Sequence, residues 1–185
     1  MAFNFLRKVI RIGRATDRTV GESTAFYFPE NSKLLEKQKV LERSIAIRQV
    51  DAGSSNAEEA EILAISNPFY DCERFGINIV ASPKHADVLL VTGPVTRNMK
   101  EALIRAYMCA PDPKIVIAVG NEAIDGGIFK DSYAVVGGVD EVVPVDCYIK
   151  GSPPSPTDIL NAIFHCANMK YIKNMKDFTS NKKSK

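Results

Sequence analysis

Three aliphatic, β-branched runs, each ending in small residues and followed by a helix-forming stretch, constrain this chain more than any other feature. Ile45, Ala46, Ile47 and Val50 run into Asp51-Ala52-Gly53-Ser54-Ser55, Val88 to Thr92 runs into Gly93-Pro94, and Ile115 to Val119 runs into Gly120-Asn121. Helix formers follow from Ala57 to Ser66 and from Arg97 to Ala110, and a last helix is expected from Thr157 to Tyr171 after a Pro-rich turn. Ile77 to Ala81 and Val142 to Val145 read as further short strands. Strands that alternate with helices, and that are apolar throughout, belong to a sheet covered on both faces. The chain is therefore expected to be α/β with a mainly parallel sheet flanked by helices. Ligands of such sheets sit at the carboxyl ends of the strands, which directs attention to the small-residue loops.

With 185 residues, 45% of them hydrophobic and 25% charged, the chain suits one well-buried globular domain. Lys and Arg number 24 against 22 Asp and Glu, a net charge of +2. No chain-wide basic field exists to hold a phosphate backbone, so nucleic acid is not an expected partner. The apolar runs are far shorter than the ~20 residues that span a bilayer, so no transmembrane helix is expected. Met1 to Gly13 lacks the apolar core and cleavage site of a secretory signal, so the chain is expected to stay inside the cell. Cys72, Cys109, Cys147 and Cys166 form no C-x-x-C pair and read as reduced thiols, with Cys109 and Cys166 as packing thiols on amphipathic helices.

The chain divides into three stretches. Residues 1–43 read as an N-terminal docking arm. In it Phe5, Leu6, Val9 and Ile10 recur at helical spacing, with Arg7, Lys8, Arg11 and Arg14 between them, a basic amphipathic helix suited to an anionic membrane surface or a partner's groove. Thr16 to Ser32, with the apolar knot Ala25 to Phe28, reads as an extended arm lying on something, and Lys33 to Arg43 as a charged helix. Residues 44–173 form the α/β domain, and 174–185 a solvated Lys-rich tail.

Four loops are expected to converge at the carboxyl edge: Ala52 to Asn56, Thr92 to Thr96, Gly120 to Gly127 and Lys150 to Pro154. None contains a Walker A sequence or a G-x-G-x-x-G fingerprint, so a nucleotide site has little support. Glu58, Glu59 and Glu61 stand in the first turns of a predicted helix, where carboxylates favour the positive end of the dipole.

Six blocks in order resemble one family. They are Tyr70-Asp71-Cys72-Glu73-Arg74-Phe75-Gly76-Ile77, the stretch Ala81 to Met99 containing Ser82-Pro83-Lys84-His85-Ala86-Asp87 and Thr92-Gly93-Pro94-Val95-Thr96-Arg97-Asn98-Met99, then Gly126-Gly127-Ile128-Phe129, Gly137-Gly138-Val139-Asp140, Val143-Pro144-Val145-Asp146 and Gly151-Ser152-Pro153-Pro154. Together, over about Ser44 to Ala167, they resemble the 20 kDa subunit of respiratory complex I and the small subunits of energy-converting, group 4 nickel-iron hydrogenases. The compact spacing favours the hydrogenase branch. The resemblance implies a flavodoxin-like α/β fold and a 4Fe-4S cluster held by four cysteines as the terminal electron relay.

At those four positions the chain departs from the family. Where hydrogenase-type members read Gly-Ser-Cys-Asn-Gly-Cys, this chain reads Gly53-Ser54-Ser55-Asn56-Ala57-Glu58. The Gly-x-Cys turn is matched by Gly120-Asn121-Glu122, and Gly-Cys-Pro-Pro by Gly151-Ser152-Pro153-Pro154. The degenerate positions are thus Ser55, Glu58, Glu122 and Ser152. Thiolates hold such clusters, and Ser and Glu replace them poorly, so no cofactor is expected; a 4Fe-4S cluster on unusual ligands is the alternative. Glu58 and Glu122 could instead neutralise basic residues of a partner. With the two serines they would also make an all-oxygen set for a hard cation. General acid-base work lacks a nearby histidine, since His85 and His165 lie on other elements.

Thr92, Gly93, Pro94, Val95, Thr96, Arg97, Asn98 and Met99 keep the family form, which in relatives lies against the large subunit. They are read as a partner interface, with Thr96 also placed to cap the following helix. Phe5, Leu6, Arg7, Val9, Ile10 and Arg11 are read as the element that docks on the membrane arm.

The resemblance thus implies a peripheral-arm subunit of a membrane-bound complex, on the cytoplasmic face of the cell membrane, structural and cluster-free, and not catalytic alone. Its expected partners are a large hydrogenase-like or 49 kDa-like subunit, a ferredoxin-like subunit and integral membrane subunits. Two alternatives are an electron-transfer oxidoreductase subunit that keeps a cluster and a free-standing metal-binding α/β protein.

Overall fold

A computed structural model describes residues 25–29 and 44–167. Eight strands occur among them: β1 (Phe26–Tyr27), β2 (Ile45–Asp51), β3 (Ile77–Ile79), β4 (Val88–Thr92), β5 (Val95–Thr96), β6 (Ile115–Val119), β7 (Val135–Gly137) and β8 (Cys147–Ile149). The helices are α1 (Ala57–Ala64), α2 (Arg97–Cys109), α3 (Asn121–Asp125) and α4 (Pro156–Cys166). Six strands form one sheet in the order β1-β8-β6-β4-β2-β3, while β5 and β7 pair as a small antiparallel ribbon. From β8 to β3 every pairing is parallel. That order, read in chain order as second, first, third, fourth and fifth strands, is the flavodoxin-like arrangement.

Period-two alternation divides the strand side chains between two cores. Ile45, Ile47, Val88, Leu90, Ile115, Ile117 and Val119 pack on one face with Ile62 near the end of α1 and with Ile159, Leu160, Ile163 and Phe164 of α4. Leu89, Val91, Val116 and Ala118 point the other way, onto Leu103 of α2 and Ala123 of α3. Both faces are therefore covered, which is why β4 and β6 tolerate no polar residue except Thr92 at a strand end.

At the amino ends of the strands two aspartates of the recognised sequence blocks act as braces. Asp87 Oδ2 accepts from the Ala46 backbone N–H at 2.8 Å, and Asp146 Oδ2 accepts from Val116 N–H at 2.9 Å. Each supplies an acceptor where the ladder begins, so these blocks serve the fold.

Several elements differ from the sequence reading. Val142 to Val145 is not a strand; the strand starts two residues later at Cys147. Val143 and Val145 are buried, but they fill the second core from a turn, and Pro144 has no N–H for a ladder. The apolar knot at residues 25–28 does lie on something: β1 pairs antiparallel with β8, Phe26 opposite Ile149, with Tyr27 stacked on Tyr148 at 4.8 Å. Cys109 is exposed at the end of α2 and is not the packing thiol expected, whereas Cys72, Cys147 and Cys166 are buried. The basic helix from Phe5 to Arg14, the charged helix from Lys33 to Arg43 and the Lys-rich tail lie outside the described residues.

Candidate functional site

At the carboxyl edge the loops are tied together in two pairs. Asp51 Oδ1 accepts from Gly53 N–H and Ser54 N–H, both at 2.8 Å, closing the turn after β2. Thr96 N–H and Thr96 Oγ1–H both donate to Ala52 carbonyl, at 2.9 and 3.1 Å. Gly93, with φ +71°, lies so close that a Cβ there would stand 2.3 Å from the Ser54 backbone nitrogen. The second pair is stitched by Asn121 N–H to Gly151 carbonyl at 2.7 Å and Gly151 N–H to Asn121 Oδ1 at 3.0 Å.

These ties bring three of the four degenerate positions into one connected group. Glu58, at the start of α1, is only 1% exposed and interacts with the carboxyl of Glu122 at the start of α3. Ser152 Oγ donates to Glu122 Oε1 at 3.2 Å. Ser55 lies on the exposed loop that leads into α1. Beside them stands a residue the sequence reading treated only as a helix-dipole carboxylate. Glu59 accepts a hydrogen bond from Thr92 Oγ1–H at the end of β4. Its signal was adjacency to a ligand position together with a threonine closing the neighbouring strand.

The chemistry of the group is acidic and short of partners. Glu58 Oε2, Glu59 Oε2 and Glu122 Oε2 are all buried without a hydrogen bond. Among the described residues, the ion pairs are Arg74–Asp71, Arg105–Glu101 and Lys114–Asp112, all elsewhere. Burial, and then the carboxyl-to-carboxyl interaction with Glu122, push the Glu58 carboxyl up to about 7 against a lowering by its own backbone N–H, and the charges of Glu122 and Glu59 add smaller upward effects. Glu122 and Ser152 also line an open cleft of about 530 Å³ with Ile124, Asp125, Ile128 and Lys150.

This donor set does not fit an iron-sulfur cluster. The four positions offer hydroxyl and carboxyl oxygens, and the nearest thing to a thiol pair, Cys147 with Cys166, is hydrogen-bonded inside the first core. A thiol so placed, with its titration pushed well up by that bond and by burial, supplies no thiolate to the edge. Among the described residues no group of three or more His, Cys, Asp or Glu side chains is arranged to hold a metal ion.

The loop from Thr92 to Met99 divides at its middle. Thr92, Gly93, Pro94 and Val95 are buried within this chain, whereas Arg97 and Asn98 are exposed and Met99 is half-buried. Thr96 caps α2, its Oγ1 accepting from Met99 N–H at 3.3 Å. His85 and His165 stand on other elements; His165 packs its ring 5.1 Å from that of Phe26.

Known proteins agree with this architecture. The family model described as NADH ubiquinone oxidoreductase, 20 Kd subunit, matches residues 56–166. This chain belongs to that family. Within the 20 kDa subunit family, it is 49% identical over 142 residues to formate hydrogenlyase subunit 7 of Escherichia coli (strain K12), a match covering 77% of this chain and 53% of that protein. The chain thus spans about half the length of that relative. A probable membrane-bound hydrogenase subunit of Pyrococcus furiosus is 43% identical over 136 residues, covering 71% of this chain and 81% of that one.

Among solved structures, a chain of the membrane-bound sulfane sulfur reductase, an archaeal respiratory membrane complex, aligns with a TM-score of 0.62 at 31% identity, over 81% of this chain and 88% of that chain. A chain of an NAD+-reducing NiFe-hydrogenase shares the fold, with a TM-score of 0.50 at 20% identity, over 64% of this chain and 92% of that chain. No helix among the described residues is long and apolar enough to cross a membrane.

Proposed function

We propose that this chain is a peripheral subunit of a membrane-bound assembly related to complex I and energy-converting hydrogenases, and that it supports its partners without carrying an iron-sulfur cluster. The observation that carries this is the replacement of all four ligand positions by Ser55, Glu58, Glu122 and Ser152, with the three buried cysteines packed in the core and Cys109 on the far end of α2. Relatives named as subunits of formate hydrogenlyase and of a membrane-bound hydrogenase support the setting. Its partners in this reading are a large hydrogenase-like subunit, a ferredoxin-like subunit and integral membrane subunits at the cytoplasmic face. Residues 1–43 serve as the docking arm, 44–173 as the α/β domain and 174–185 as a solvated tail.

Surface composition supports a partnered chain. Helix α2 buries only Leu103 and leaves Met108 75% exposed. Ile128, on the cleft wall, and Tyr133 are 87% and 89% exposed, and large apolar side chains so exposed are commonly covered in an assembly. Arg97, Asn98 and Met99 supply the accessible part of the interface loop.

The test is iron and acid-labile sulfide content, with electron paramagnetic resonance after dithionite, on protein purified anaerobically with its native partners. Iron and sulfide near zero in this chain are expected. About four of each, assignable to this chain, would overturn the reading.

A further inference from the structure

We propose that the Glu58–Glu122 pair is a binding site for one exchangeable proton, with Glu58 as its carrier and Glu122 and Ser152 as its way out to the cleft. The inference rests on the cluster-free reading above, because it assigns a proton to the place where the family's electron relay would stand.

Three observations of geometry carry it. First, Glu58 and Glu122 are neighbours at the starts of α1 and α3, two carboxyls that can bond to one another only through a proton, and among the described residues no Lys or Arg is ion-paired with either. Second, Glu58 is almost fully buried, and its Oε2 has no partner. Gly120, with φ +92°, passes over it so closely that a Cβ would lie 2.9 Å from Glu58 Oε1, so the neighbouring loop covers the carboxyl without donating to it. A buried carboxylate whose one donor is its own backbone N–H, with Oε2 unpartnered, is poorly solvated, and the neutral acid is favoured. Third, the pair has an outlet: Glu122 is half-buried, is bonded to the exposed Ser152 hydroxyl, and shares the wall of the open cleft with it.

The side chains facing Glu58 from the packed elements favour its acid form or are neutral, against the lowering by its own backbone N–H. Glu59 on α1 and Glu122 on α3 carry negative charge, Thr92 at the end of β4 donates to Glu59, and Ser152 after β8 donates to Glu122. Lys150 on the cleft wall holds its ammonium 5.0 Å from the Tyr27 ring centre, over the aromatic face. With the carboxyl pushed up to about 7, both states are populated near neutrality. On release the Glu58 O–H bond breaks, the proton passes to Glu122 and then to cleft water, and no electron moves.

Infrared difference spectroscopy of the protonated-carboxyl band, on the full chain with its native partners and with iron measured on the same sample, tests this. One carboxyl is expected to titrate with a midpoint of about 7. The band should vanish in Glu58→Gln. In Glu122→Gln, which removes a neighbouring negative charge, the midpoint should fall by roughly one unit. Glu61→Gln on the same helix should leave it unmoved. An iron-free sample with no carboxyl titrating near neutrality would overturn the inference while sparing the cluster-free reading, and a cluster in the sample would overturn both. A midpoint driven down by millimolar magnesium would make the site a cation site and also overturn it. If Glu58→Gln does not fold, the native band and the Glu122→Gln shift decide.

Discussion

The two ends of one sheet treat acidic side chains in opposite ways. At the amino ends, Asp87 and Asp146 each receive a backbone N–H, from Ala46 and Val116. At the carboxyl ends, Glu58, Glu59 and Glu122 each keep a buried oxygen with no partner. The strand starts have free N–H groups to offer, so a carboxylate there completes the backbone bonding. The carboxyl ends present carbonyls, so an acid there meets backbone donors only where a tight turn supplies them, as for Asp51 with Gly53 and Ser54; otherwise it must keep its proton, find a hydroxyl or be neutralised from outside. The first set belongs to the fold, and the second is tolerated by it.

Four measurements test that contrast. Asp146→Ala should have the largest effect, since it strands the buried Val116 N–H; we expect a loss of about 2–3 kcal/mol in urea unfolding. If the loss is negligible, the amino-end aspartates are not braces. Glu58→Gln should have the opposite sign. A native carboxyl raised from its ordinary value to about 7 is stable as the acid, so its contribution is intact below about pH 4.5 and is lost as pH rises through 7. The amide should therefore stabilise by about 1–2 kcal/mol at pH 8, after allowance for screening by nearby water, with the gain shrinking to nothing below about pH 4.5. Equal effects at both pH values would place the proton elsewhere.

Thr96→Ala tests whether location or partnering matters. Thr96 sits at the carboxyl end, yet it accepts from Met99 N–H and donates to the Ala52 carbonyl. It should behave like the amino-end braces and cost about 1 kcal/mol, read as a shift in the urea midpoint. Arg105→Ala, breaking an exposed 2.9 Å pair with Glu101, should change stability by no more than about 0.5 kcal/mol. A larger value would mean that the outer face of α2 is more ordered than its exposure implies.

Much of the architecture was legible in the residues because backbone and burial rules act locally. Apolar runs such as Ile115 to Val119, short, β-branched and bounded by Pro113 and Gly120, read as central strands, and Thr96 before Arg97 announces a capped helix. The false strand at Val142 to Val145 shows the limit: burial selects valine whether it enters from a strand or from a turn, and only the pairing of β6 with β8 separates the cases. Cys109 failed for a related reason, since helical spacing alone does not say which face of α2 its last turn presents to the sheet.

The site shows the same division. The chain alone determined that no cysteine stands at Ser55, Glu58, Glu122 or Ser152, and so which chemistry those positions lack. It also determined an α/β sheet whose loops meet at one edge. It took the folded chain to put Glu58 beneath Gly120 and beside Glu122, to turn Glu59 to Thr92, and to open the group to the cleft through Ser152. The reason is physical: residue identity sets what a group can donate or accept, but whether a carboxyl is charged depends on the water and the neighbours it keeps, and those come from segments as far apart in the chain as 58 and 152.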